Sequence, residues 1–397
     1  MPLINTIIQP VIKSVVQRVD GVIDIPLLLK TYSDATAGYS LRDIGAMNGP
    51  VVRVRRDSDE EEEDFSANQV QSGALEDWVN STLKITQFTL SGIESEFNDT
   101  YTVVGYSNLK PKWRNSSDQE IKIQYRSDGK WEIDNGGDGY YISDDTGQNH
   151  PWDVTSWSVH PDGEGSASNT PTFSSFVSVN SSGFVSIWYD QSGNSNHATQ
   201  TSNSSQPKIV DGGVVVKKNN QPTISFGTNN TNLTLSTPLG IFNNLNSVSF
   251  FMVVHLIQSG TATQGILTLN PVFPSPPLFI LESFGINIDA GGTNFSYDGV
   301  LNNRPPITHN PNLNENILYS ALTEGSNFKA FADGSNIMTR STVDIQPSAA
   351  GVIGAFMPGI LVYGGTVSEI IVFDSGKAND RANIEENLAN YYNITLS

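Results

Sequence analysis

Residues 3–22 carry apolar side chains at a spacing of three and four, which places them along one face of a helix. Pro10 interrupts the pattern, so we expect a helix from Pro10 to about Val19, ended by Gly21. So dense an apolar stripe needs a covering surface, either its own domain or another subunit or protein. We favour the second and predict attachment to a partner through Ile4, Ile8, Val11, Val15 and Val19.

From Tyr32 onward, short segments alternate apolar and polar residues, as Val52 and Val54 alternate with Arg53 and Arg55. Alternation predicts half-buried strands, and turn residues recurring about every 8–12 residues are typical of sandwiches and jelly rolls. A second helix is expected over 380–392, where Ile384, Leu388 and Tyr391 have helical spacing. The clearest strands are 184–189, 214–217, 223–226, 233–236, 248–257, 317–323, 328–332 and 366–373.

Residues 84–159 concentrate four of the six Trp, and turn residues separate the strands predicted there. They are read as a small β-module, followed by a Gly/Ser/Thr/Pro linker over 161–171. The strands of the module are predicted at 84–90, 100–104, 110–114, 121–126, 131–134 and 140–143. The predicted domains are therefore 1–31 for attachment, 32–83 with 160–397 as the jelly roll, and 84–159 as the insertion.

Composition and charge exclude several classes of function and of binding site. Only 16% of residues are charged, and the net charge of −19 argues against binding to nucleic acid. With no Cys, disulfides, thiolate zinc sites and a Cys nucleophile are excluded, and the five His lack zinc-site spacing. No segment has the pattern of a signal peptide or membrane span. We expect a soluble chain with no cofactor and no membrane partner.

An acidic run over 57–64 and the passage from Trp188 to Asn194 each allow two interpretations. The run is read as a solvated loop, with a calcium site as the alternative. In the passage, Asp190 suits an Asx turn and Gly193 suits a positive φ, which predicts a rigid corner. The alternative is a sugar pocket lined by Asp190, Gln191 and His197.

Several passages carry a resemblance to a known family. They are Tyr-Ser-Leu-Arg at 39–42, Val-Arg-Val-Arg-Arg at 52–56, Asp-Ser-Asp at 57–59, Trp-Tyr-Asp-Gln-Ser-Gly-Asn at 188–194, Asn-His-Ala-Thr-Gln at 196–200 and the strand at 364–374. In this order they resemble the concanavalin A-like jelly roll of the family 54 arabinofuranosidases, and more closely phage and bacterial virion-type proteins that share its N-terminal half. The resemblance covers 32–84 and 173–397.

This resemblance implies an all-β fold: a concanavalin A-like jelly-roll sandwich with an inserted small β-module and a short N-terminal helix. The insertion is similar to one found in phage structural proteins, on the turn from Gly105 to Pro111 and the exit from Thr155 to Val159. No segment matches the catalytic carboxylate region of the arabinofuranosidases. Glu282 and Asp289 lie on predicted strands, yet neither is favoured as catalytic, so we predict that the chain is not an enzyme.

The aromatic side chains of the module are the first candidates for glycan binding, since Trp and Tyr stack on sugar rings when exposed. Most must fill the small core of the module, so we favour Trp131, in a hairpin, and the pair Tyr140 and Tyr141. Strand alternation directs one Tyr of this pair away from the core.

The predicted function is a structural appendage or decoration subunit of a bacteriophage particle, such as a head fibre or tail fibre. We expect assembly in the bacterial cytoplasm, display on the virion surface, capsid or tail proteins as partners, a host surface glycan as ligand, and a homo-oligomer. The alternatives are a glycoside hydrolase acting on arabinose-type polysaccharide and a bacterial surface lectin.

Overall fold

The computed structural model describes residues 18–19, 22–23, 26–45, 49–108, 110–161, 163, 165–227, 234–237, 248–256, 264–269, 284–288, 295–297, 315–324, 327–341, 351–357 and 360–397. Most of the regular structure described is strand, which confirms the predicted all-β class. The first elements are β1 Arg18–Val19, β2 Val22–Ile23, α1 Leu28–Thr31, β3 Ala35–Ser40, β4 Val52–Arg56, β5 Glu62–Phe65, α2 Ala67–Ser72 and α3 Ala74–Asn80.

The middle of the chain forms one antiparallel sheet in the order β12-β11-β10-β9-β8-β7-β6-β13. Its core is separate and aromatic, and Phe88, Trp113 and Trp131 lie at its centre. The elements are β6 Leu83–Ser91, β7 Thr100–Ser107, β8 Lys110–Asn115, β9 Ile121–Tyr125, β10 Trp131–Asn135, β11 Asp138–Ser143, a 3₁₀ turn Pro151–Asp153, β12 Trp157–Val159 and β13 Thr172–Asn180.

The division of the chain at residues 84 and 159 stays a prediction. The eight-stranded sheet also takes in β13, whose Asn180 lies opposite Leu83 of β6. The chain therefore enters and leaves this sheet at neighbouring positions, as an inserted module requires. We propose Leu83 and Asn180 as its boundaries.

The remaining elements complete the jelly roll. They are β14 Gly183–Trp188, β15 Ala198–Thr199, a 3₁₀ turn Asn203–Ser205, β16 Lys208–Asp211, β17 Val214–Val215, β18 Lys217–Lys218, β19 Gln221–Pro222, β20 Ile224–Ser225, β21 Leu235–Thr237, β22 Ser249–Leu256, β23 Gln264–Leu269, β24 Phe284–Ile288, β25 Phe295–Tyr297, β26 Asn316–Glu324, β27 Asn327–Ala332, β28 Ser335–Ser341, β29 Gly351–Ile353, β30 Ala355–Met357, β31 Ile360–Val362, β32 Gly365–Phe373 and α4 Arg381–Tyr392. The predicted C-terminal helix is thus confirmed.

Two layers of strands pack face to face. One layer runs β28-β27-β26-β22-β32-β3, and the other runs β5-β4-β14-β15-β21-β29-β23-β24-β25. Strand β20 pairs with both β16 and β32 and so links the layers. Side chains from both layers, Tyr39, Phe250 and Trp188 among them, share one core. This is the predicted jelly-roll sandwich.

The central strand β22 is buried on both faces. Phe250, Met252 and Val254 point into the core between the layers. Phe251 and Val253 point the other way, into a second core that the helices α1 and α4 cover. A strand covered on both faces reads as a continuous apolar run because it has no solvent face to carry polar residues.

A buried ion pair fastens α4 and the loop after β3 to this layer. The carboxylate of Glu369 on β32 accepts hydrogen bonds from Arg42 Nε at 2.8 Å and Nη2 at 3.0 Å. It also accepts from Ser40 Oγ at 2.8 Å and from the Tyr392 hydroxyl at 2.9 Å. Four donors satisfy a charge that has no exposed surface, which is the condition under which a buried carboxylate is tolerated.

The predicted N-terminal helix does not extend to Val19. Arg18 and Val19 pair with Ile23 and Val22 in a short hairpin. The β-branched side chains of this stretch favour strand over helix, which accounts for the difference. The other predicted attachment residues, Ile4, Ile8, Val11 and Val15, lie outside the described residues, as do Glu282 and Asp289.

The structure also corrects the interpretation of the acidic run. Its second half forms β5, and Asp57, Asp59 and Glu60 are mostly buried rather than solvated. The basic residues of β4 draw these carboxylates in, since Arg55 binds Glu60 at 2.7 Å and Arg56 binds Asp59 at 2.6 Å. Glu61, Glu62 and Glu63 of the same run remain exposed, so only its first half departs from the expected solvated loop.

We predict that Glu369→Ala destabilises the fold by about 3–5 kcal/mol, because Arg42 is left buried without a counter-charge. The measurement is urea unfolding, read as a lower midpoint at unchanged slope. Asp211→Ala removes the partner of Lys208 from a largely exposed pair and should cost only about 0–1 kcal/mol. Equal losses in the two variants would contradict the role assigned to Glu369.

Candidate functional site

The passage from Trp188 to Asn194 forms the predicted rigid corner. Oδ1 of Asp190 accepts from the backbone N–H of Gly38 at 2.8 Å and of Ser192 at 2.9 Å, which confirms the Asx turn. Oδ2 accepts from Ser192 Oγ at 2.8 Å and from the Asn196 N–H at 3.0 Å. Gly193 has φ +92°, as the corner requires. Asp190 therefore holds the corner together through Ser192 and Asn196 and joins it to β3 through Gly38.

Gln191 ties the same corner to the loop that follows β3. Its Oε1 accepts from the Ile44 N–H at 3.1 Å. Its Nε2 donates to the carbonyls of Ser40 at 2.9 Å and Arg42 at 3.0 Å. Both polar atoms of the Gln191 carboxamide are hydrogen-bonded. Gln191 therefore fixes the position of the loop after β3.

A cleft of about 540 Å³ opens at this corner, between the loop after β3, the hairpin β4–β5 and α2. Two carboxylates, Asp43 and Asp64, face it together with carboxamides and a few apolar groups. The full lining is Asp43, Gly49, Pro50, Val51, Asp64, Ser66, Ala67, Asn68, Gln69 and Gln191. Carboxylates and amides suit sugar hydroxyl groups, and the apolar groups suit sugar C–H faces.

Asp64 is held in one orientation by two donors. It lies opposite Arg53 in the register of β4 and β5, and both its oxygens accept from that guanidinium at 2.8 Å. The Tyr189 hydroxyl donates to Oδ1 at 2.8 Å. The hydrogen bonds from Arg53 hold the pKa of Asp64 below its usual range, so this carboxylate is ionised at neutral pH.

Tyr189 lies beside this carboxylate, and His197 packs against Tyr189. Burial, and then the negative charge of Asp64, raise the pKa of Tyr189 to about 12, so its hydroxyl remains a donor. The His197 ring packs edge-on against Tyr189 at 5.0 Å, and its Nδ1 accepts from the Asp190 N–H at 3.1 Å. Of the predicted pocket residues, Gln191 lines the cleft, whereas Asp190 and His197 do not.

The sequence interpretation missed Asp43, Asp64 and Asn68. A signal for Asp64 was present, because alternation in the hairpin pairs an acidic residue with Arg53. A signal for Asp43 was its position directly after the Tyr-Ser-Leu-Arg passage. Asn68 had no such signal, since only the packing of α2 against the hairpin brings it to the cleft.

The aromatic candidates of the module are placed differently from expectation. Trp131 is fully buried, where its ring packs between Trp113 and Tyr125 and its Nε1 donates to the Gln148 carbonyl at 3.0 Å. The expectation that Trp131 is exposed is therefore wrong, because its side chain faces the aromatic core of the module. Trp131 therefore offers no exposed ring on which a glycan could stack.

The pair Tyr140 and Tyr141 follows strand alternation as predicted. Tyr141 is buried, and its hydroxyl donates to Glu94 at 2.8 Å. Tyr140 is half-buried and packs on Phe97 at 4.6 Å. Tyr140 is thus the ring of this pair that retains some exposed surface.

Glu60 is an unusual acid in the turn between β4 and β5. Its φ of +68° is rare for a residue with a side chain, and its Oε1 is buried without a hydrogen-bond partner. Oε2 accepts from Arg55 and from Asn203, each at 2.7 Å. Burial raises the pKa of Glu60 to about 7 in spite of the Arg55 charge.

The described residues contain neither a cluster of metal-binding side chains nor a helix that could cross a membrane. The residues that the structure describes contain no group of three or more His, Asp or Glu side chains arranged to hold a metal ion. Within the same residues, no helix is long and apolar enough to cross a membrane.

No protein-family model and no curated protein sequence matches this chain. Among solved structures, a GH54 α-L-arabinofuranosidase soaked with a cyclic sulfate inhibitor matches over 91% of this chain and 64% of its own, at 10% identity and TM-score 0.46. Trypanosoma rangeli sialidase matches over 52% and 31%, at 13% identity and TM-score 0.38. The chain thus spans less than two thirds of either protein.

A third similar structure is domain 4 of AbnA, a GH43 extracellular arabinanase from Geobacillus stearothermophilus, in complex with arabinotriose. It matches over 50% of this chain and 91% of its own, at 11% identity and TM-score 0.36. Likenesses of this strength concern the fold alone, and the neighbours are carbohydrate-active proteins. The resemblance to phage virion proteins stays a prediction.

These neighbours correct one expectation. The chain was predicted not to be an enzyme because no catalytic carboxylate segment was recognised. The similar solved structures include glycoside hydrolases, at about 10% identity and low TM-scores, and the expectation that the chain is not an enzyme is therefore withdrawn. Two carboxylates line the cleft, and these are the groups to consider for any catalytic activity.

We predict that the unfolding free energy falls by roughly 2–3 kcal/mol between pH 5 and pH 8 through Glu60 alone. Its folded pKa of about 7 exceeds the ordinary value, so the folded state binds the proton more tightly and loses this advantage as pH rises through that window. Glu60→Gln should remove this contribution. The measurement is urea unfolding of both proteins at pH 5 and pH 8.

Glu63→Gln, at an exposed position of the same hairpin, is the charge-matched control. If the difference between wild type and Glu60→Gln is the same at both pH values, Glu60 does not titrate in this range.

Proposed function

We propose that this chain is a carbohydrate-binding protein and that the cleft lined by Asp43, Asp64 and Asn68 is its saccharide site. The observation that carries the proposal is Asp64, an ionised carboxylate fixed by Arg53 and Tyr189 at the wall of a cleft. A group held in one orientation before the ligand arrives loses little entropy on binding.

The cleft offers each part of a sugar a matching group. Oδ1 of Asp64 already accepts two hydrogen bonds, from Arg53 and Tyr189, whereas Oδ2 accepts only one, from Arg53. Since a carboxylate oxygen accepts two hydrogen bonds, Oδ2 retains capacity for a sugar hydroxyl group. Asp43 and Asn68 are exposed and present further acceptors and an amide donor. Pro50 and Ala67 supply apolar surface for the C–H groups of the ring. An open cleft with these few contacts favours weak binding of single sugar units.

Glycoside hydrolysis is the second candidate function. Glycosidases use two carboxylates, one ionised as nucleophile or base and one protonated as acid. Asp64 meets the first requirement because its pKa is lowered, and Asp43 is the other carboxylate of the same cleft. An arabinose-type polysaccharide is the substrate class that the sequence resemblance implies.

Attachment to a bacteriophage particle remains our prediction for the biological setting. It rests on the apolar pattern of residues 1–31 and on the resemblance of the jelly roll and its insertion to virion proteins. In this setting, capsid or tail proteins bind the N-terminus, and the cleft faces a host surface glycan.

We predict that multivalent protein on an array of arabino-oligosaccharides and bacterial surface glycans binds at least one class, and that Asp64→Asn weakens this binding about tenfold. The loss of the charge removes both the strong acceptor and the partner that orients Arg53. Asp138→Asn, at an exposed position of the module, removes the same charge away from the cleft and should bind as wild type. Equal binding by Asp64→Asn would place the glycan elsewhere.

For hydrolysis, we predict slow release of nitrophenol from 4-nitrophenyl α-L-arabinofuranoside, with loss of at least about 100-fold in kcat on Asp64→Asn. The readout is absorbance of the released phenol. Asp138→Asn is again the control. Wild-type release no faster than that of the buffer would rule out this substrate class while leaving saccharide binding to the array experiment.

A further inference from the structure

The charged groups that line the cleft are all negative. Its lining residues include the carboxylates of Asp43 and Asp64 but no Lys, Arg or His. Residues 44–50, which continue the loop after β3, contain no charged residue, and neither does α2. A surface with this balance of charge attracts a positive group and repels a negative one. The charge of a saccharide therefore affects how well it fits this cleft.

The cations in the walls of the cleft are already paired with carboxylates. Arg53 on β4 donates to both oxygens of Asp64 at 2.8 Å. Arg42, in the loop after β3, is buried and bound to Glu369. The other two arginines of β4 are paired with carboxylates in the turn that follows the strand. An acidic saccharide would therefore have to displace an existing ion pair to find a cation here.

Two carboxylates at the cleft remain available to a ligand. The side chain of Asp43 is exposed and forms no ion pair or hydrogen bond with the described residues. Asp64 is ionised, and its Oδ2 accepts only one hydrogen bond, from Arg53. Glu62 is exposed and lies two residues before Asp64, on the same face of β5. Three carboxylates thus accompany the single guanidinium group of Arg53, and the region has an excess of negative charge.

We propose that the cleft selects saccharides that carry a positively charged amino group, such as an unacetylated hexosamine unit, over neutral and acidic ones. This inference rests on the proposed saccharide site. An ammonium group has three donors and no acceptor, so it matches Asp43 and the Oδ2 atom of Asp64, which only accept. Hydrogen bonds between two charged groups are stronger than those between neutral ones. The carboxylate of an acidic sugar would instead meet groups of its own charge.

The test compares two ligands that differ only in charge. They are an oligosaccharide of glucosamine and its N-acetylated counterpart, because acetylation removes the charge of each amino group. Dissociation constants are measured by NMR titration of the full chain at pH 6, below the range in which α-amino groups titrate. We expect the glucosamine ligand to bind at least about tenfold more tightly at low salt. An oligosaccharide of galacturonic acid should bind more weakly than either.

Two variants separate the cleft from the overall charge of the protein. The net charge of −19 attracts any cationic ligand, so a preference for the amine alone does not locate the site. Asp43→Asn should reduce the ratio of the two dissociation constants at least about threefold. Asp138→Asn removes one charge at an exposed position of the module and should leave this ratio unchanged. Asp43 has no partner to lose, so its variant should fold as wild type.

The outcomes distinguish this inference from the proposed function on which it rests. Equal binding of the amine and its acetylated counterpart overturns the inference and leaves the saccharide site in place. Binding of the galacturonic acid ligand as tight as that of the amine also overturns it. So does an equal fall of the ratio in Asp43→Asn and Asp138→Asn, since the preference then comes from the overall charge. If no saccharide binds, on the array or in titration, the proposed function itself is refuted.

Discussion

The buried carboxylate of Glu369 is the point on which the jelly roll depends. It sits on β32, a strand buried along its whole length, and binds Arg42 from the loop after β3, Ser40 from β3 and Tyr392 from α4. An ionised group in such a place is stable only if every donor is in position. The ion pair therefore fixes both the path of the chain after β3 and the position of α4.

That fixed loop leads to the cleft. Arg42 precedes Asp43, and the carbonyls of Ser40 and Arg42 accept from Gln191, so the corner after β14 is built on the loop that Glu369 holds. Asp190 completes the join by accepting from Gly38. The charged residues of the core thus position the polar residues of the corner, and this network determines the shape of the cleft.

Much of the fold was readable from local pattern. The faces that an element buries can be predicted from the order of apolar residues along it. This holds for the alternation in β4 and β14, the continuous apolar run of β22 and the helical spacing of α4. The Asx corner at Asp190 was readable for the same reason. These features follow from steric contacts and hydrogen bonds between residues that are close in the sequence, so the sequence pattern is enough to predict them.

The rest depended on contacts between distant residues. Arg42 and Glu369 are 327 positions apart, and nothing local pairs them. The acidic run was interpreted as a solvated loop because Arg55 and Arg56 approach its carboxylates only in the folded hairpin. Trp131 was interpreted as an exposed ring because its hairpin is visible in the sequence, whereas the face of the strand that the aromatic core covers is not. Burial and cleft formation are properties of packing, and packing is set by which strands become neighbours.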